Sequence, residues 1–185
     1  INLLKETKQG AHYNPFTRGV TFDQSDRSWL KKSTNFKARL ISHELGHAKH
    51  FNTGELSFGV NSAKLDNVLS TFNEEALTYY NAKNKRGTKI NSALRGVSQR
   101  IKDDTNGFDM FTQEYYESAA LEDFIGGATK GSFGRGHTKS YQKSRGIFEV
   151  FAHLNENFYV GNSQFEKYFP ETFKAGNLYI KNLVK

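Results

Sequence analysis

The chain has 185 residues, a formal net charge of +7 and no cysteine. This length is enough for one domain with its own hydrophobic core, and the absence of cysteine excludes disulfides and thiolate metal ligands. No signal peptide is visible, and no apolar run reaches the roughly 18 residues of a membrane-spanning helix, so we expect no membrane span.

The first predicted element is a β-hairpin, because residues 11–16 and 19–23 form two short extended segments around a turn at 15–19. Apolar residues at helical spacing then predict helices over 33–51, 62–84, 88–103, 109–125, 147–158 and 171–183. Six glycines between Gly126 and Gly146 predict a mobile loop that borders the functional cleft. The expected fold class is α+β, dominated by helices, with a small sheet or hairpin near the N-terminus.

The helix over 33–51 carries the motif His43-Glu44-Leu45-Gly46-His47. Imidazoles at positions i and i+4 share one face of a helix and can bind one tetrahedral zinc ion. Glu44 lies next to the first imidazole, where a carboxylate can take a proton from water. Gly46 costs about 1 kcal/mol in a helix interior, which predicts that another backbone or a substrate passes close to it.

Catalytic zinc needs a third protein ligand, and a carboxylate from a later helix commonly complements two histidines. Two residues qualify on pattern. Glu75 lies on the apolar stripe of the helix over 62–84, 28 residues after His47, and a short connection favours it. Glu149 is the one charged residue in an apolar run, where an unpaired carboxylate would be costly. The pattern leaves both candidates open.

Other hydrolase signatures are absent. No Gly-x-Ser-x-Gly elbow and no cysteine nucleophile occur, and the order of Lys130 and its neighbouring glycines does not fit a phosphate-binding loop. The metzincin motif would need a glycine at 50 and a histidine at 53, where the chain has His50 and Thr53. The chain therefore does not fit the serine hydrolase, cysteine hydrolase, phosphate-binding-loop or metzincin classes.

The positive charge is concentrated in the segment 126–146, which has five basic residues and no acidic one. Such a surface favours anionic partners, among them acidic protein segments and nucleic acid. No nucleic-acid-binding motif accompanies it. We therefore expect a protein or peptide substrate with acidic character. The simpler interpretation of the basic segment is an ordinary solvated surface.

Five segments of the chain resemble, in order, the zincin metallopeptidase-like domains found at the C-termini of phage minor head proteins and of bacterial polymorphic toxins. They read AHYNPFTRGVTFD, LISHELGHAKHF, GRGHTKSY, FEVFAHL and FEKYFPETF. The resemblance implies zinc ligands at His43, His47 and Glu149, and a catalytic base at Glu44. It also implies that His137 and Tyr141 lie near the site as donors to the oxyanion.

This resemblance, with the motif, predicts one zincin-like catalytic domain over 1–185, a gluzincin-like zinc metalloendopeptidase. Because Met110 is the only methionine, we expect a domain excised from a larger protein. That protein would be a secreted or delivered toxin or effector, with a cognate immunity or carrier protein as partner. The alternative is a non-catalytic module of a phage head that keeps the zincin fold and contacts nucleic acid.

Overall fold

The computed structural model describes residues 11–14, 16–21, 32–53, 63–84 and 89–183. These ranges are mostly helical, with one antiparallel pair of strands near the N-terminus. The elements are β1 (His12–Asn14), β2 (Gly19–Thr21), α1 (Thr34–Thr53), α2 (Ala63–Asn84), α3 (Ile90–Asn106), α4 (Gln113–Ala128), α5 (Lys139–Val160), α6 (Ser163–Tyr168) and α7 (Pro170–Leu183). The prediction of a helix-dominated chain with a small N-terminal hairpin is confirmed, although residues 22–23 of the predicted second strand lie outside the described ranges.

Most helix starts follow from capping side chains. The Ser33 hydroxyl accepts a hydrogen bond from the Phe36 N–H (3.1 Å), and Thr112 does the same for Tyr115 at the start of α4. Such caps satisfy N–H groups that have no partner within the helix. The short helix α6, which periodicity did not predict, begins in the same way at Asn162.

The core lies between α2, α3, α4, α5, α6 and α7 and is rich in phenylalanine. Its fully buried rings are Phe72, Phe124, Phe151, Phe165 and Phe169. Burying each such ring stabilises the fold by about 1.5–3 kcal/mol relative to exposure. This packing gives α5 a rigid apolar support on one side, and its other side faces α1.

The hairpin packs on α1 and not on the main core. Tyr13 and Val20 are buried against Ile41, Leu45 and Ala48 of α1, the stripe adjacent to the two motif histidines. β1 and β2 pair with Tyr13 opposite Val20. The hairpin therefore lies beside the motif and forms one wall of the space above it.

Gly46 permits the close approach of α1 and α5. A Cβ atom built on Gly46 would lie 2.8 Å from the Ala152 Cα atom, closer than such atoms can approach. The expectation that another backbone passes beside Gly46 is confirmed, and that backbone belongs to α5. The close approach brings the motif histidines near the side chains of α5.

The prediction of a loop over the whole segment 126–146 is wrong at both ends. Helix α4 continues to Ala128 and α5 begins at Lys139, so the connection is residues 129–138. Gly127 and Gly146 serve helix packing, because a Cβ on Gly127 would lie 2.4 Å from the Gly146 carbonyl oxygen. A loop and a close helix crossing both require glycine, and composition does not distinguish them.

We expect Gly127→Ala to lower the free energy of unfolding by about 2 kcal/mol, because overpacking outweighs the gain in helix propensity. The obstructing atom is a backbone oxygen, so no side chain can rotate to relieve the clash. Denaturant unfolding followed by circular dichroism measures the change. Gly107→Ala is the matched control, since its Cβ would meet only the Asp104 carbonyl at 3.3 Å, and an equal loss there would contradict the packing explanation.

Candidate metal centre

Two helices bring three donor side chains to one point. His43 and His47 project from α1, and Glu149 projects from the facing side of α5. The Nε2 atom of His43 lies 3.3 Å from Glu149 Oε2, and that of His47 lies 3.7 Å from Glu149 Oε1. One donor atom from each residue lies within 4.8 Å of the other two. Two imidazoles and a carboxylate are a donor set that catalytic zinc sites use.

Glu149 is fully buried, and one of its oxygens has no hydrogen bond. The Tyr141 hydroxyl donates to Oε1 (2.6 Å), whereas Oε2 forms no hydrogen bond of good geometry with the described residues and has ring nitrogens of His43 and His137 at 3.3 and 3.4 Å. Burial opposes the charged carboxylate, but contacts with His137, His43 and His47 hold the Glu149 pKa far below its usual value. A buried, ionised carboxylate with an unsatisfied oxygen fits a cation ligand.

Glu44 also lies at the centre, with its carboxylate oriented by the hairpin. The Tyr13 N–H donates to Glu44 Oε2 (2.7 Å), and the residue is 7 % exposed. Burial raises the pKa of Glu44 to about 7, although His43 and the Tyr13 N–H oppose this shift. A carboxylate with a pKa near 7 is matched to accept and return a proton at neutral pH.

The two motif histidines differ in their electrostatic environment. Burial, followed by the charge of His43, lowers the pKa of His47 to about 3, which leaves this imidazole neutral. Burial also opposes the charge of His43, but Glu149 and Glu156 outweigh it and raise the pKa of His43 to about 10. His47 is therefore ready to bind a metal ion, whereas His43 must release a proton when it does.

A further set of polar side chains lies behind His43. Its Nδ1 atom is 3.6 Å from Glu156 Oε2, and that oxygen is 3.1 Å from His153 Nδ1. Arg39 Nη1 donates to the other oxygen of Glu156 (3.1 Å) and also pairs with Glu117. A carboxylate behind a ligand histidine fixes the orientation of its ring.

Sequence reasoning did not identify Arg39, Asp123, His153 or Glu156. The sequence does contain a signal for His153 and Glu156. They follow Glu149 on α5 at spacings of four and then three residues, so all three share one helix face. Arg39 is likewise four residues before His43. Asp123 has no such signal, since it comes from α4 and is brought in by the packing of α4 on α5.

His137 and Tyr141 lie at the open side of the centre. Their rings are stacked with centroids 4.3 Å apart, and His137 Nε2 is 3.4 Å from Glu149 Oε2. A cleft of about 330 Å³ runs past these side chains, the motif residues and β1. Both residues that the resemblance placed near the site do line it.

Glu75 lies elsewhere. Its carboxylate accepts hydrogen bonds from the Glu171 N–H (2.7 Å), the Thr172 N–H (2.7 Å) and the Thr172 hydroxyl (2.5 Å) at the start of α7. A carboxylate at a helix N-terminus satisfies free N–H groups and interacts favourably with the helix dipole. The structure therefore places Glu149, and not Glu75, beside the motif histidines.

Comparison of the chain with protein-family models, with curated proteins and with solved structures finds no match in any of the three. None of the helices in the described ranges combines the length and the apolar character needed to cross a bilayer. What the site can do must therefore be argued from its own geometry and chemistry.

Proposed function

We propose that the protein is a zinc-dependent metallopeptidase whose ligands are His43, His47 and Glu149. The observation that carries the proposal is the convergence of these three side chains with Glu44 beside them, in a cleft open to solvent. A zinc ion there would act as a Lewis acid toward a carbonyl and would lower the pKa of water. The resemblance to zincin domains supports the same reaction class.

Glu44 is the general base in this proposal. Its carboxylate takes a proton from the attacking water and returns it to the leaving amine. The hydrogen bond from the Tyr13 N–H to Oε2 holds the carboxylate in one orientation, and Oε1, to which no residue of the described ranges donates, exchanges the proton. The hairpin thus contributes to catalysis through its backbone.

Tyr141 and His137 are the proposed donors to the oxyanion that develops on the scissile carbonyl. Their rings stack at the cleft. The Tyr141 hydroxyl donates its one proton to Glu149 Oε1, so it must turn from Glu149 toward the substrate to act as an oxyanion donor. Burial, followed by the contact with Glu149, raises the Tyr141 pKa well above its usual value, so the hydroxyl keeps its proton. A neutral hydroxyl can donate a hydrogen bond to developing negative charge.

We expect Tyr141→Phe to lower kcat by about 10–100-fold with the metal content unchanged, as for the loss of one oxyanion donor. The phenyl ring preserves the stack with His137, so packing is conserved. Steady-state kinetics with a fluorogenic peptide, together with metal analysis, measure both quantities. Full activity of the variant would restrict Tyr141 to a packing role.

The substrate side of the cleft is basic. Arg145 lines it, and the side chains of Arg145 and of Lys143, two residues earlier on α5, are both exposed. These charges support a peptide substrate with acidic residues. The same charges support the alternative, a nucleic-acid-contacting module, for which duplex DNA binding would weaken steeply with salt and would not depend on Glu44.

The proposal is tested by measuring zinc content and peptide hydrolysis of the purified protein. We expect bound zinc, cleavage of peptide libraries, and loss of cleavage on chelation with recovery when zinc is restored. New protein termini in cells that express the wild type, but not Glu44→Gln, would identify substrates and test the expected effector role. Absence of stoichiometric zinc would refute the proposal.

A further inference from the structure

Carboxylates around the candidate centre outnumber the fixed cations paired with them. Five carboxylates lie there, and none is more than 14 % exposed. They are Glu44, Glu117, Asp123, Glu149 and Glu156. Within the described part of the chain, Arg39 is the one lysine or arginine that forms an ion pair with any of them. With Glu44 ionised, as a general base must be, and the histidines neutral, as metal binding requires of ligands, this leaves four negative charges, and one divalent cation at the motif would leave two. Uncompensated buried charge is costly.

We propose that the protein binds a second divalent transition-metal ion, held by Asp123, His153 and Glu149, with Glu149 shared between the two ions. This inference rests on the proposed function for the first ion and deepens it. Oxygen and imidazole donors together suit zinc, manganese or cobalt. A pair of ions about 3.5–4 Å apart is a known arrangement in hydrolytic enzymes.

The distances fit such a site. A tetrahedral ion about 2.1 Å from each donor needs donors about 3.4 Å apart. Asp123 Oδ2 and His153 Nε2 are 3.2 Å apart, and one donor atom from each of the three residues lies within 4.8 Å of the others. His137 Nε2 is the neighbour on the cleft side, 3.8 Å from Asp123 Oδ2.

The orientation of Glu149 supports a shared ligand. Oε1 faces His47 and accepts the Tyr141 hydrogen bond, whereas Oε2 faces His43 and His137. Oε2 is buried and forms no hydrogen bond of good geometry with the described residues, although the His43 and His137 ring nitrogens lie 3.3 and 3.4 Å from it. Both oxygens thus lie beside ligands of the first ion, and Oε2, which shares the neighbour His137 Nε2 with Asp123 Oδ2, is the oxygen on the side of the second donor group.

The orientation of Asp123 leaves one oxygen for a metal. The Gln142 side chain donates to Oδ1 (2.7 Å), and Oδ2 is directed at the ring nitrogens of His153 and His137. The amide holds the carboxylate in place, as an outer partner of a metal ligand does. No lysine or arginine of the described ranges pairs with Asp123 or with Glu149.

Glu156, unlike Asp123 and Glu149, pairs with an arginine, which argues against a third metal ion beside it. Together with His43 and His153 it also forms a compact donor group, but Arg39 donates to its Oε1 atom. The guanidinium, which Glu156 shares with Glu117, lies against this carboxylate and would repel a further cation there. His153 therefore directs Nδ1 to the paired Glu156 and Nε2 to the uncompensated Asp123.

The competing explanation is a proton on His153. Its ring lies between Asp123 and Glu156, so an imidazolium would satisfy both carboxylates with no metal. A metal ion at the second site would replace the proton on Nε2. The number of ions bound per chain decides between the two explanations.

The test is titration of chelator-stripped full-length chain with Zn²⁺, followed by calorimetry and elemental analysis. We expect two equivalents for the wild type, one for Asp123→Asn, and one for His47→Gln, which removes only the first site. A single wild-type equivalent that Asp123→Asn leaves unchanged would overturn the second site and leave the proposed function intact. Binding of no zinc would overturn both.

Asp123→Asn keeps the shape of the side chain, and its near-ultraviolet circular dichroism checks the fold. If it fails to fold, the wild type loaded with Co²⁺ still decides the matter. Two Co²⁺ ions that share Glu149 should be magnetically coupled, so the signal per ion changes between one and two equivalents. Uncoupled signals at two equivalents, or saturation at one, would overturn the proposal.

Discussion

Glu44→Gln is expected to lower kcat by about 10²–10⁴-fold, the usual contribution of a general base, and to retain the zinc content of the wild type. An amide cannot accept the proton of the attacking water. Its oxygen can still accept the hydrogen bond from the Tyr13 N–H, so the hairpin should stay in place. Peptide hydrolysis and metal analysis on the same preparation measure both effects.

Glu74→Gln is the matched control, because Glu74 is an exposed carboxylate on α2 whose one hydrogen bond with the described residues is a long one from Ser70 to Oε1 (3.4 Å). It should leave both activity and metal content unchanged. A Glu44→Gln protein that keeps full activity would remove Glu44 from the chemistry. One that loses its metal would make Glu44 a ligand and not a base.

The helix that carries His43 and His47 could be predicted because its signals are local. Spacing of three and four residues indicates both the helix and the shared face of the two imidazoles. The predicted bounds 33–51 compare with Thr34–Thr53 in the structure. The hairpin was likewise predictable from residues close to each other in the chain.

The partners of that helix could not be predicted with the same certainty. Glu149 is 102 residues after His47, and pattern alone left it in competition with Glu75. The apolar run around Glu149 indicated burial, and the structure shows that it is fully buried. The same reasoning could not show that Glu75 accepts hydrogen bonds from the free N–H groups at the start of α7. That contact depends on how two helices distant in sequence pack.

The roles of Asp123, Gly127 and Gly146 could not be predicted from the local sequence. Asp123 follows Glu122 in an ordinary helix, and nothing in its neighbourhood distinguishes it from a solvated acid. Gly127 and Gly146 were assigned to a loop, because a glycine that permits backbone contact between helices has the same local sequence as one in a turn. Both features depend on the packing of α4 against α5, so both require the tertiary structure.

Glu149→Ala is expected to remove bound zinc, whereas Glu75→Ala is expected to retain it. Zinc that binds only the folded state stabilises it by about 2.7 kcal/mol at a concentration 100-fold above Kd. The wild type should therefore melt at a higher temperature with zinc than with a chelator. Glu149→Ala should lose this difference, because no other carboxylate of the described residues lies between the two motif imidazoles.

Glu75→Ala separates metal binding from fold stability. It removes the acceptor of the Glu171 and Thr172 N–H groups, which should cost about 1–2 kcal/mol of unfolding free energy, as for loss of a helix cap. Its melting temperature should fall equally with zinc and with chelator, since α7 lies away from the centre. The difference between the two conditions, measured by calorimetry, is thus the quantity that identifies the third ligand. If Glu75→Ala abolishes that difference while Glu149→Ala preserves it, the ligand set of His43, His47 and Glu149 is wrong.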